Sequence, residues 1–237
     1  MSQPLKIVTW NCNGKFREKY KEIARLNADV YIIQECEDPA FTKDEGYKTW
    51  GHNALWIGAS RHKGLGVFSP SGHHITRLEW DVNGLEYFIP FSLSNKVNIV
   101  AAWCHGAKMP TYRYIGQLWQ FIRRHKDRLS DSIIAGDLNS NPIWDTRTRN
   151  WNHSDVTFEL SNFGIVSAYH HLRNELPGKE LVPTFFLQKN LLKPYHIDYV
   201  FADEAILSSN DTALEVGEPE SWIKWSDHMP ITATLVI

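Results

Sequence analysis

The sequence predicts an α/β protein in which two packed β-sheets are flanked by helices. Short apolar runs rich in β-branched residues occur at the beginning, in the middle and at the end of the chain, as expected for buried strands. Apolar residues at helical spacing separate the first two runs. Residues 43–100 alternate short β-like runs with Gly, Pro and Asn, which is typical of an antiparallel meander. Strands and helices mixed in this order favour two layered sheets.

Polar residues flank the four clearest strands. The predicted strands cover residues 5–10, 29–33, 132–135 and 230–236. The first three are followed by Asn11, Glu35 and Asp137, whereas Asp227 and His228 come just before the fourth. The edge of a rigid sheet can hold catalytic groups without disturbing the core. We therefore expect these five side chains to belong to a functional site.

Three helices are predicted between the strands. Residues 16–24 repeat apolar side chains at helical spacing. Residues 115–126 have one apolar stripe and end among basic residues, which complement the helix dipole. The third helix is bracketed by Ser154 as its N-cap and by Gly164 as the C′ residue.

Two further predicted strands carry polar residues. Residues 97–103 lead directly into His105. Residues 195–201 alternate, so that Asp198 lies on the face opposite to the aromatic and aliphatic odd-numbered positions. An acid on a largely apolar strand needs a partner, because an unpaired buried charge is costly.

The composition limits the class of protein. The chain of 237 residues has no linker, repeat or low-complexity run, so we expect a single domain covering residues 1–237. A net charge of −2 argues against a protein that coats nucleic acid nonspecifically, although a local basic groove remains compatible with it. The sequence has neither a signal-peptide pattern nor a membrane-length apolar run. We expect a cytoplasmic protein with no membrane contact and no obligate protein partner.

Each of the three cysteines is next to a motif residue. Cys12 follows Asn11, Cys36 follows Glu35, and Cys104 precedes His105. Neighbouring residues on a strand point to opposite faces, so thiols beside cleft-facing residues should face the core. A thiolate metal site is the alternative, but no C-x-x-C pair supports it. Buried reduced thiols fit a cytoplasmic protein.

Taken together, the motifs contain the groups of a metal-dependent phosphodiester-cleaving site. Mg²⁺ prefers oxygen ligands and is usually held by one or two carboxylates with water and substrate phosphate, so Glu35 and Asp227 are candidate ligands. The motifs, in chain order, are Trp10-Asn11, Gln34-Glu35, Gly136-Asp137-Leu138-Asn139, Ile197-Asp198-Tyr199 and Ser226-Asp227-His228.

In this order the five motifs closely resemble those of the endonuclease/exonuclease/phosphatase superfamily, which includes deoxyribonucleases, exonuclease III, AP endonucleases, sphingomyelinases and inositol polyphosphate phosphatases. The resemblance spans nearly the whole chain. It implies a four-layer α/β/β/α sandwich with the active site at the top of two packed mixed sheets. It also implies a Mg²⁺- or Mn²⁺-dependent phosphodiesterase acting on nucleic acid, with DNA favoured over RNA. Because the candidate basic and aromatic contact residues are spread over four separate loops and the net charge is modest, we expect single-stranded or distorted substrates to be favoured over smooth duplex.

The resemblance also implies roles for individual residues. Glu35 would be the principal metal ligand, with Asn11 and Asp227 near the same ion. The catalytic residues would be Asp137 and Asn139, which position the attacking water or the phosphate, and His228, which stabilises developing charge. Asp198 would pair with His228 and thereby have the partner that a buried acid needs.

His105 marks a departure within the superfamily. AP endonucleases and exonuclease III have a tyrosine at this position, whereas deoxyribonuclease-like and sphingomyelinase-like members have a histidine. The glutamate that supports this histidine in the deoxyribonuclease branch would fall near Ile89, with Glu86 close by. We expect His105 to be catalytic, while a packed histidine at a strand end is the alternative.

Several side chains are candidates for substrate contact. Lys63 and Arg113 are expected to contact phosphates, and Phe185 and Trp144 are expected to stack on bases. Solvated surface charge and core packing are the respective alternatives. Other basic and aromatic residues of the same kind are Arg61, His62, Lys108, Phe186, Trp222 and Trp225.

Two other functions remain open. The same site can serve a phosphatase or phosphodiesterase of a small or lipid-linked phosphate, since fold does not choose between these chemistries. The absence of an amphipathic membrane helix makes the lipid version less attractive. A nucleic-acid-binding protein that has lost catalysis is the third possibility, which the complete set of catalytic residue types disfavours.

Overall fold

The computed structural model describes residues 4–106 and 110–237, which form two six-stranded mixed sheets and a short ribbon. The first sheet contains β1 (Pro4–Asn11), β2 (Val30–Cys36), β3 (Ala54–Ser60), β4 (Lys63–Phe68), β13 (Ala213–Val216) and β14 (Ile231–Val236), in the order β13-β14-β1-β2-β4-β3. The second contains β5 (Ile75–Arg77), β6 (Phe88–Leu93), β7 (Val97–Trp103), β8 (Ile133–Asp137), β9 (Ile165–Ser167) and β12 (Asp198–Asp203), in the order β5-β6-β7-β8-β12-β9. The ribbon pairs β10 (Phe185–Phe186) with β11 (Pro194–Tyr195).

Helices pack against both sheets. They are α1 (Tyr20–Ala24), α2 (Glu45–Trp50), α3 (Ile115–His125), α4 (His153–Ser161), α5 (Ala168–Arg173), α6 (Glu204–Leu207) and α7 (Pro219–Trp222). One apolar cluster lies under α1 and α2, a second lies under α3 and α4, and the largest fills the space between the sheets. The predicted four-layer α/β/β/α sandwich is therefore confirmed.

Strand alternation explains the layers. In β8, Ile133 and Ala135 point into the layer between the sheets, whereas Ile134 points toward α3 and α4. All three are buried. Burying a large aliphatic side chain stabilises a fold by about 1.5–3 kcal/mol, so both faces of this central strand contribute.

Some predicted boundaries were wrong. The third predicted helix begins at His153 with Asn152 as N-cap, because the Asn152 side chain and the Asp155 carboxylate form a reciprocal capping box. Ser154 is inside that helix, and the helix ends at Ser161, before Gly164. Residues 45–50 of the predicted meander form α2, whose N-cap carboxylate, Asp44, accepts a hydrogen bond from Tyr47 N.

The predicted strand at residues 195–201 is interrupted. Its first part belongs to the ribbon strand β11 and its second part to β12. The two residues between them, His196 and Ile197, are buried, and the Tyr199 hydroxyl donates to the His196 carbonyl. Among the described residues, no helix is long and apolar enough to cross a membrane.

The sheet register brings the motif residues to one edge. β1 runs parallel to β2 with Asn11 opposite Gln34, and β7 runs parallel to β8 with Trp103 opposite Asp137. β12 is antiparallel to β8 and places Asp198 opposite Asp137. The ends of both sheets therefore meet where the predicted site residues begin.

Candidate active site

Asp137 is the centre of the site and is fully buried. Asn11 crosses from the first sheet, and its Nδ2 donates to Asp137 Oδ2 at 3.0 Å. Asn139 donates twice, from its backbone N to Oδ1 at 2.8 Å and from Nδ2 to Oδ2 at 3.0 Å. Asn139 has a φ of 47°, a left-handed conformation that asparagine tolerates well. Two carboxamides thus fix the orientation of the carboxylate.

The surroundings of Asp137 make it a usable proton acceptor. Burial raises the pKa of Asp137 to about 7, with the Asp198 carboxylate acting in the same direction, while the His228 imidazole opposes the shift. A carboxyl group with such a pKa exchanges protons readily at neutral pH.

Asp198 and His228 form a buried hydrogen-bonded pair. His228 Nδ1 lies 2.9 Å from Asp198 Oδ2 and 3.1 Å from Oδ1. Burial by itself would lower the pKa of His228, but the Asp198 and Asp137 carboxylates outweigh it and raise the pKa to about 9. The imidazole is therefore positively charged at neutral pH.

Four backbone and hydroxyl contacts hold this pair in place. Thr184 Oγ1 accepts from the backbone N of Asp198, and the Thr184 carbonyl accepts from the residue after His228. Ser226 Oγ accepts from His228 N at 3.0 Å, and Trp10 Nε1 donates to the His228 carbonyl at 2.9 Å. Thr184 was not predicted as a site residue, because a lone threonine in a loop gives no signal in the sequence.

Glu35 lies in a β-bulge at the end of β2. The pairing of β2 with β4 shifts between Gln34 and Cys36, and Glu35 has a φ of 63°. A left-handed glutamate is uncommon and costs about 1–2 kcal/mol. The bulge turns the carboxylate away from the strand pairing, and Glu35 Oε2 meets Lys63 Nζ at 2.9 Å.

The side chains near the end of β1 fit a hard divalent cation. The contact of Asn11 Nδ2 with Asp137 fixes the amide orientation, so that Asn11 Oδ1 faces the other way and, within the described part of the chain, accepts a hydrogen bond from Asn13 N alone. Asn13 Nδ2 donates to Asp227 Oδ1 at 3.1 Å, which ties Asp227 to the same turn. Two partly accessible carboxylates and an amide oxygen match the ligands that Mg²⁺ prefers. Asn13 was not among the predicted site residues.

Asp137, Asp198 and His228 also have donor atoms within 4.8 Å of one another, a spacing that a metal ion could use. Their hydrogen bonds disfavour that use. Both oxygens of Asp137 accept hydrogen bonds from Asn11 or Asn139, and His228 Nδ1 is engaged by Asp198. This trio is better suited to proton transfer and charge stabilisation than to metal binding.

His105 lies on the exposed rim of the site. Its ring packs against Trp103 at a centroid distance of 4.8 Å and against Tyr87 at 5.9 Å. The Gln117 side chain connects two backbone segments near this ring. Its Nε2 donates to the His105 carbonyl, and its Oε1 accepts from Glu86 N. Neither carboxylate nor amide contacts the His105 ring among the described residues. The fully buried Ile89 cannot support it.

The two predicted stacking residues differ in their surroundings. Phe185 is half-buried and its ring centroid lies 4.5 Å from that of His228. Phe186 is buried in the core between the sheets. Trp144 is 43% exposed and packs against Tyr195 at 5.3 Å. Phe185 and Trp144 therefore present aromatic surface near the site, while Phe186 does not.

The other candidate substrate contacts lie on several loops. Lys63 is half-exposed, and its Nζ lies 5.5 Å from the ring centroid of Trp103 as well as against Glu35. Arg113 is exposed just before α3. Arg61 and His62 line another cleft, together with residues that follow the end of β2, and Lys108 lies outside the described residues.

Trp222 and Trp225 pack against the apolar cluster under α1 and α2. Trp222 lies 5.4 Å from Trp10 in an edge-on arrangement, and Trp225 packs against the same cluster under α1 and α2.

The thiols of Cys12, Cys36 and Cys104 are fully buried, and burial raises the pKa of each. The expectation that the thiols face the core is thus confirmed.

Comparison with known proteins identifies the family. The sequence profile of the Endonuclease/Exonuclease/phosphatase family matches residues 8–228. The chain belongs to this family, whose members are hydrolases of phosphate esters. No curated protein matches the chain significantly.

Solved structures share the fold at low identity. A 3′-5′ exonuclease (NExo) from Neisseria meningitidis is 16% identical over 98% of this chain and 100% of its own, with a TM-score of 0.72. An AP endonuclease from Archaeoglobus fulgidus is 16% identical over the same shares, with a TM-score of 0.68. A singly substituted form of the 3′ phosphatase NExo from Neisseria, bound to a product DNA hairpin, is 17% identical over 97% and 98% of the chains, with a TM-score of 0.68.

Proposed function

We propose that this protein is a divalent-metal-dependent phosphodiesterase that hydrolyses nucleic acid, with DNA as its principal substrate. The observation that supports this most is the joint geometry of Asp137 and His228. A carboxylate with a pKa of about 7 and a charged imidazole lie within 4.8 Å of each other at one sheet edge. Such a pair supplies a proton acceptor and a positive charge to the same phosphate.

Glu35, Asp227 and Asn11 would hold the metal. When bound, Mg²⁺ or Mn²⁺ supplies positive charge that offsets the charge of the attacked phosphate. The carbonyl oxygen of Asn11 and the two carboxylates are the oxygen donors available at this edge.

Asp137 accepts a proton from the attacking water. The water oxygen forms the new bond to phosphorus, and the bond from phosphorus to the leaving sugar oxygen breaks. The leaving oxygen takes a proton from solvent. Asn11 and Asn139 keep the carboxylate in one orientation throughout, since each donates to it.

His228 stabilises the negative charge that develops on the phosphoryl oxygens. Nδ1 is occupied by Asp198, so Nε2 is the nitrogen available to the substrate. Asp198 is a positioning residue, because the hydrogen bonds of its carboxylate among the described residues go to the imidazole, whose tautomer and charge it holds.

The proposed substrate class rests on the surface around the site. Phe185 and Trp144 offer aromatic faces, and Lys63 and Arg113 offer positive charge. Stacking and cationic contacts together are typical of nucleic-acid sites. Two of the structural relatives are described as an AP endonuclease and as a phosphatase bound to a DNA hairpin. No observation on the site favours a small or lipid-linked phosphate instead.

The test is direct hydrolysis by the purified protein. End-labelled single-stranded DNA, duplex DNA, RNA and DNA with a 3′-phosphate are incubated with Mg²⁺ or Mn²⁺. We expect cleavage of DNA that stops on chelation and falls by at least about a hundredfold in Asp137→Asn and in Glu35→Ala. Glu45→Gln, a change of an exposed acid on α2, is the matched control and should cleave like wild type.

Two results would contradict the proposal. One is the survival of every nucleic acid while inositol phosphates or sphingomyelin are hydrolysed. The other is equal cleavage by wild type and Glu35→Ala, which would assign the activity to a contaminant. Metal-independent binding without turnover would favour the non-catalytic alternative.

A further inference from the structure

An aromatic cleft lies between α3 and α4 on the outer side of the second sheet. It is open, has a volume of about 430 Å³ and is lined by Tyr112, Trp119, Arg123, Trp151 and Phe158. Tyr112 stacks on Trp119 at 5.9 Å and lies 5.0 Å from Trp151, and the Arg123 guanidinium lies 4.6 Å above Trp119. The volume is within the range of small-ligand sites, roughly 300–1,000 Å³.

The rings of the aromatic cleft are not buried in the core. Tyr112, Trp119 and Trp151 are each half-buried, and Phe158 is 67% exposed. A Cβ at Gly116 would lie 2.9 Å from Trp151, so the glycine lets the indole pack closely against the first turn of α3. A contiguous exposed aromatic surface of this kind usually marks a binding site.

The charged side chains in the lining of the aromatic cleft are one arginine, Arg123, and two acids, Asp155 and Glu159. Asp145 and Asp155 are engaged as caps at the start of α4, which leaves Glu159 as the acidic side chain of the cleft without such a contact. Four arginines, one in the lining and three in the chain segments next to lining residues, have no acidic side chain within 4.0 Å among the described residues. They are Arg113, Arg123, Arg147 and Arg149.

The two chain segments that carry the cleft are hydrogen-bonded to residues at the active-site edge. One wall begins in the segment after β7, where Tyr114 N donates to the His105 carbonyl at 3.1 Å. The other begins in the loop after β8, where Arg149 Nη2 donates to the Trp144 carbonyl at 3.1 Å. Both walls therefore start at residues on the rim of the catalytic site and descend along the helices.

We propose that the aromatic cleft binds a single-stranded extension of the nucleic-acid substrate, several nucleotides away from the scissile phosphate. This inference rests on the proposed function. Bases stack on the exposed faces of Trp151 and Phe158, and the arginines contact the backbone phosphates. Single strands suit the cleft better than duplex, because a duplex does not expose its base faces.

Binding is tested separately from cleavage. Fluorescence anisotropy in the presence of a chelator measures the affinity for a labelled single-stranded DNA of about 12 nucleotides and for one of about 3 nucleotides. The double variant Phe158→Ala/Arg123→Gln changes exposed side chains only, so it should fold. We expect the affinity for the longer strand to fall by about tenfold, while the short strand binds as it does to wild type.

The matched control is Phe41→Ala/Arg77→Gln. Phe41 has the same 67% exposure as Phe158, and Arg77 is exposed on β5. This control should bind both strands like wild type. Trp151→Ala, whose folding is checked by circular dichroism, should weaken the binding of the longer strand further.

Three outcomes would overturn the inference. The first is an unchanged affinity of the Phe158→Ala/Arg123→Gln variant for the longer strand. The second is a loss of affinity for blunt duplex in this variant that equals its loss for the longer strand. The third is the same loss of affinity for the longer strand in the Phe41→Ala/Arg77→Gln control. If wild type still cleaves DNA in any of these cases, the proposed function stands and only the cleft assignment fails. If DNA binds with the expected pattern but is never cleaved, the proposed function fails and the cleft assignment stands.

Discussion

Lys63 Nζ lies 2.9 Å from Glu35 Oε2, so a cation of the chain itself already faces the carboxylate that is the principal candidate metal ligand. Lys63 comes from the tip of the β3–β4 hairpin, and its ammonium also lies 5.5 Å from the Trp103 ring. The contact of Lys63 with Trp103 joins the first sheet to the second. A lysine in this place has two conceivable roles: competing with the metal, and contacting substrate phosphate.

We expect Lys63→Ala to bind Mn²⁺ more tightly. Removing a competing positive charge near Glu35 should improve affinity by about two- to fivefold, because partly exposed ion pairs contribute about 0.2–1 kcal/mol. Isothermal titration with Mn²⁺ measures this without turnover. Lys48→Ala, which removes an exposed lysine paired with Glu45, is the control.

The same variant tests the phosphate contact. If Lys63 binds substrate, Lys63→Ala should weaken the binding of single- and double-stranded DNA about equally in the presence of chelator. It should also reduce the salt dependence of binding. Unchanged metal affinity together with unchanged DNA affinity would leave Lys63 without either role.

Asp198→Asn should lower turnover by about two to four orders of magnitude. The carboxamide has nearly the same shape but no charge, so His228 loses both a fixed orientation and the interaction that favours its protonated form. The fold and the Mn²⁺ affinity should be unchanged, because Asp198 does not lie among the candidate metal ligands.

Kinetics and NMR together decide the role of Asp198. The His228 imidazole resonances should show a lower pKa in Asp198→Asn than in wild type, which a purely structural role would not produce. Near-normal turnover in a folded variant would show that the two residues do not cooperate.

Phe185 and Phe186 are adjacent in the sequence and should respond differently to alanine. Phe185→Ala removes a half-buried ring over His228 and should raise the KM for single strands more than for duplex, while the protein stays folded. Phe186→Ala removes a side chain that is 4% exposed and should destabilise the fold by about 3–5 kcal/mol.

Urea denaturation and steady-state kinetics on both variants provide the measurement. If Phe185→Ala leaves no soluble protein, the ring belongs to the core and its stacking role must be abandoned. An equal rise in KM for single strands and duplex would instead show that it positions His228.

Gly136→Ala should prevent folding or destabilise it by several kcal/mol. Gly136 has a φ of 152°, and a Cβ there would lie 1.7 Å from the Ala102 carbonyl oxygen of the neighbouring strand. Forcing β7 and β8 apart displaces Asp137, the next residue. Gly72→Ala is the control, since Gly72 also has positive φ but open space around it, and it should cost only about 1–2 kcal/mol. Similar urea midpoints for the two variants would contradict the close-approach argument.

The sequence predicted the layers because strand alternation and β-branched runs are local signals. Residues 5–10 and 132–135 were expected as strands, and they coincide with β1 and β8 to within a residue at each start. Boundaries that depend on capping were less predictable. Asn152 rather than Ser154 caps α4, because the choice is made by the reciprocal contact with Asp155.

Parts of the site that depend on long-range contact had no signal in the sequence. The hydrogen bond from Asn11 to Asp137 joins two different sheets. The bulge at Glu35 is set by the pairing of β2 with β4, and the support of Asp198 by Thr184 comes from a loop without regular structure. Motif order indicated which residues belong to the site, whereas only the three-dimensional fold shows how they are held.

His153 should make the protein sensitive to mild acid. Burial lowers the pKa of His153 from 6.5 to about 4, although the Asp145 carboxylate opposes the shift. The folded state therefore keeps this imidazole neutral while the unfolded chain takes up a proton below a pH of about 6.5. Its contribution to stability is complete above that pH and is progressively lost as the pH falls toward about 4. Between about pH 7.5 and pH 5 the loss should be on the order of 2 kcal/mol.

Replacing His153 isolates this contribution. His153→Gln should be less stable at neutral pH, because the ring packs 5.0 Å from Tyr199. Its free energy of unfolding should nevertheless change less between the two pH values than that of wild type, by on the order of 2 kcal/mol. Urea denaturation at both pH values gives the difference, and His52→Gln, a change of an exposed histidine, should behave like wild type. An identical pH dependence in wild type and His153→Gln would mean that the buried imidazole is not held neutral.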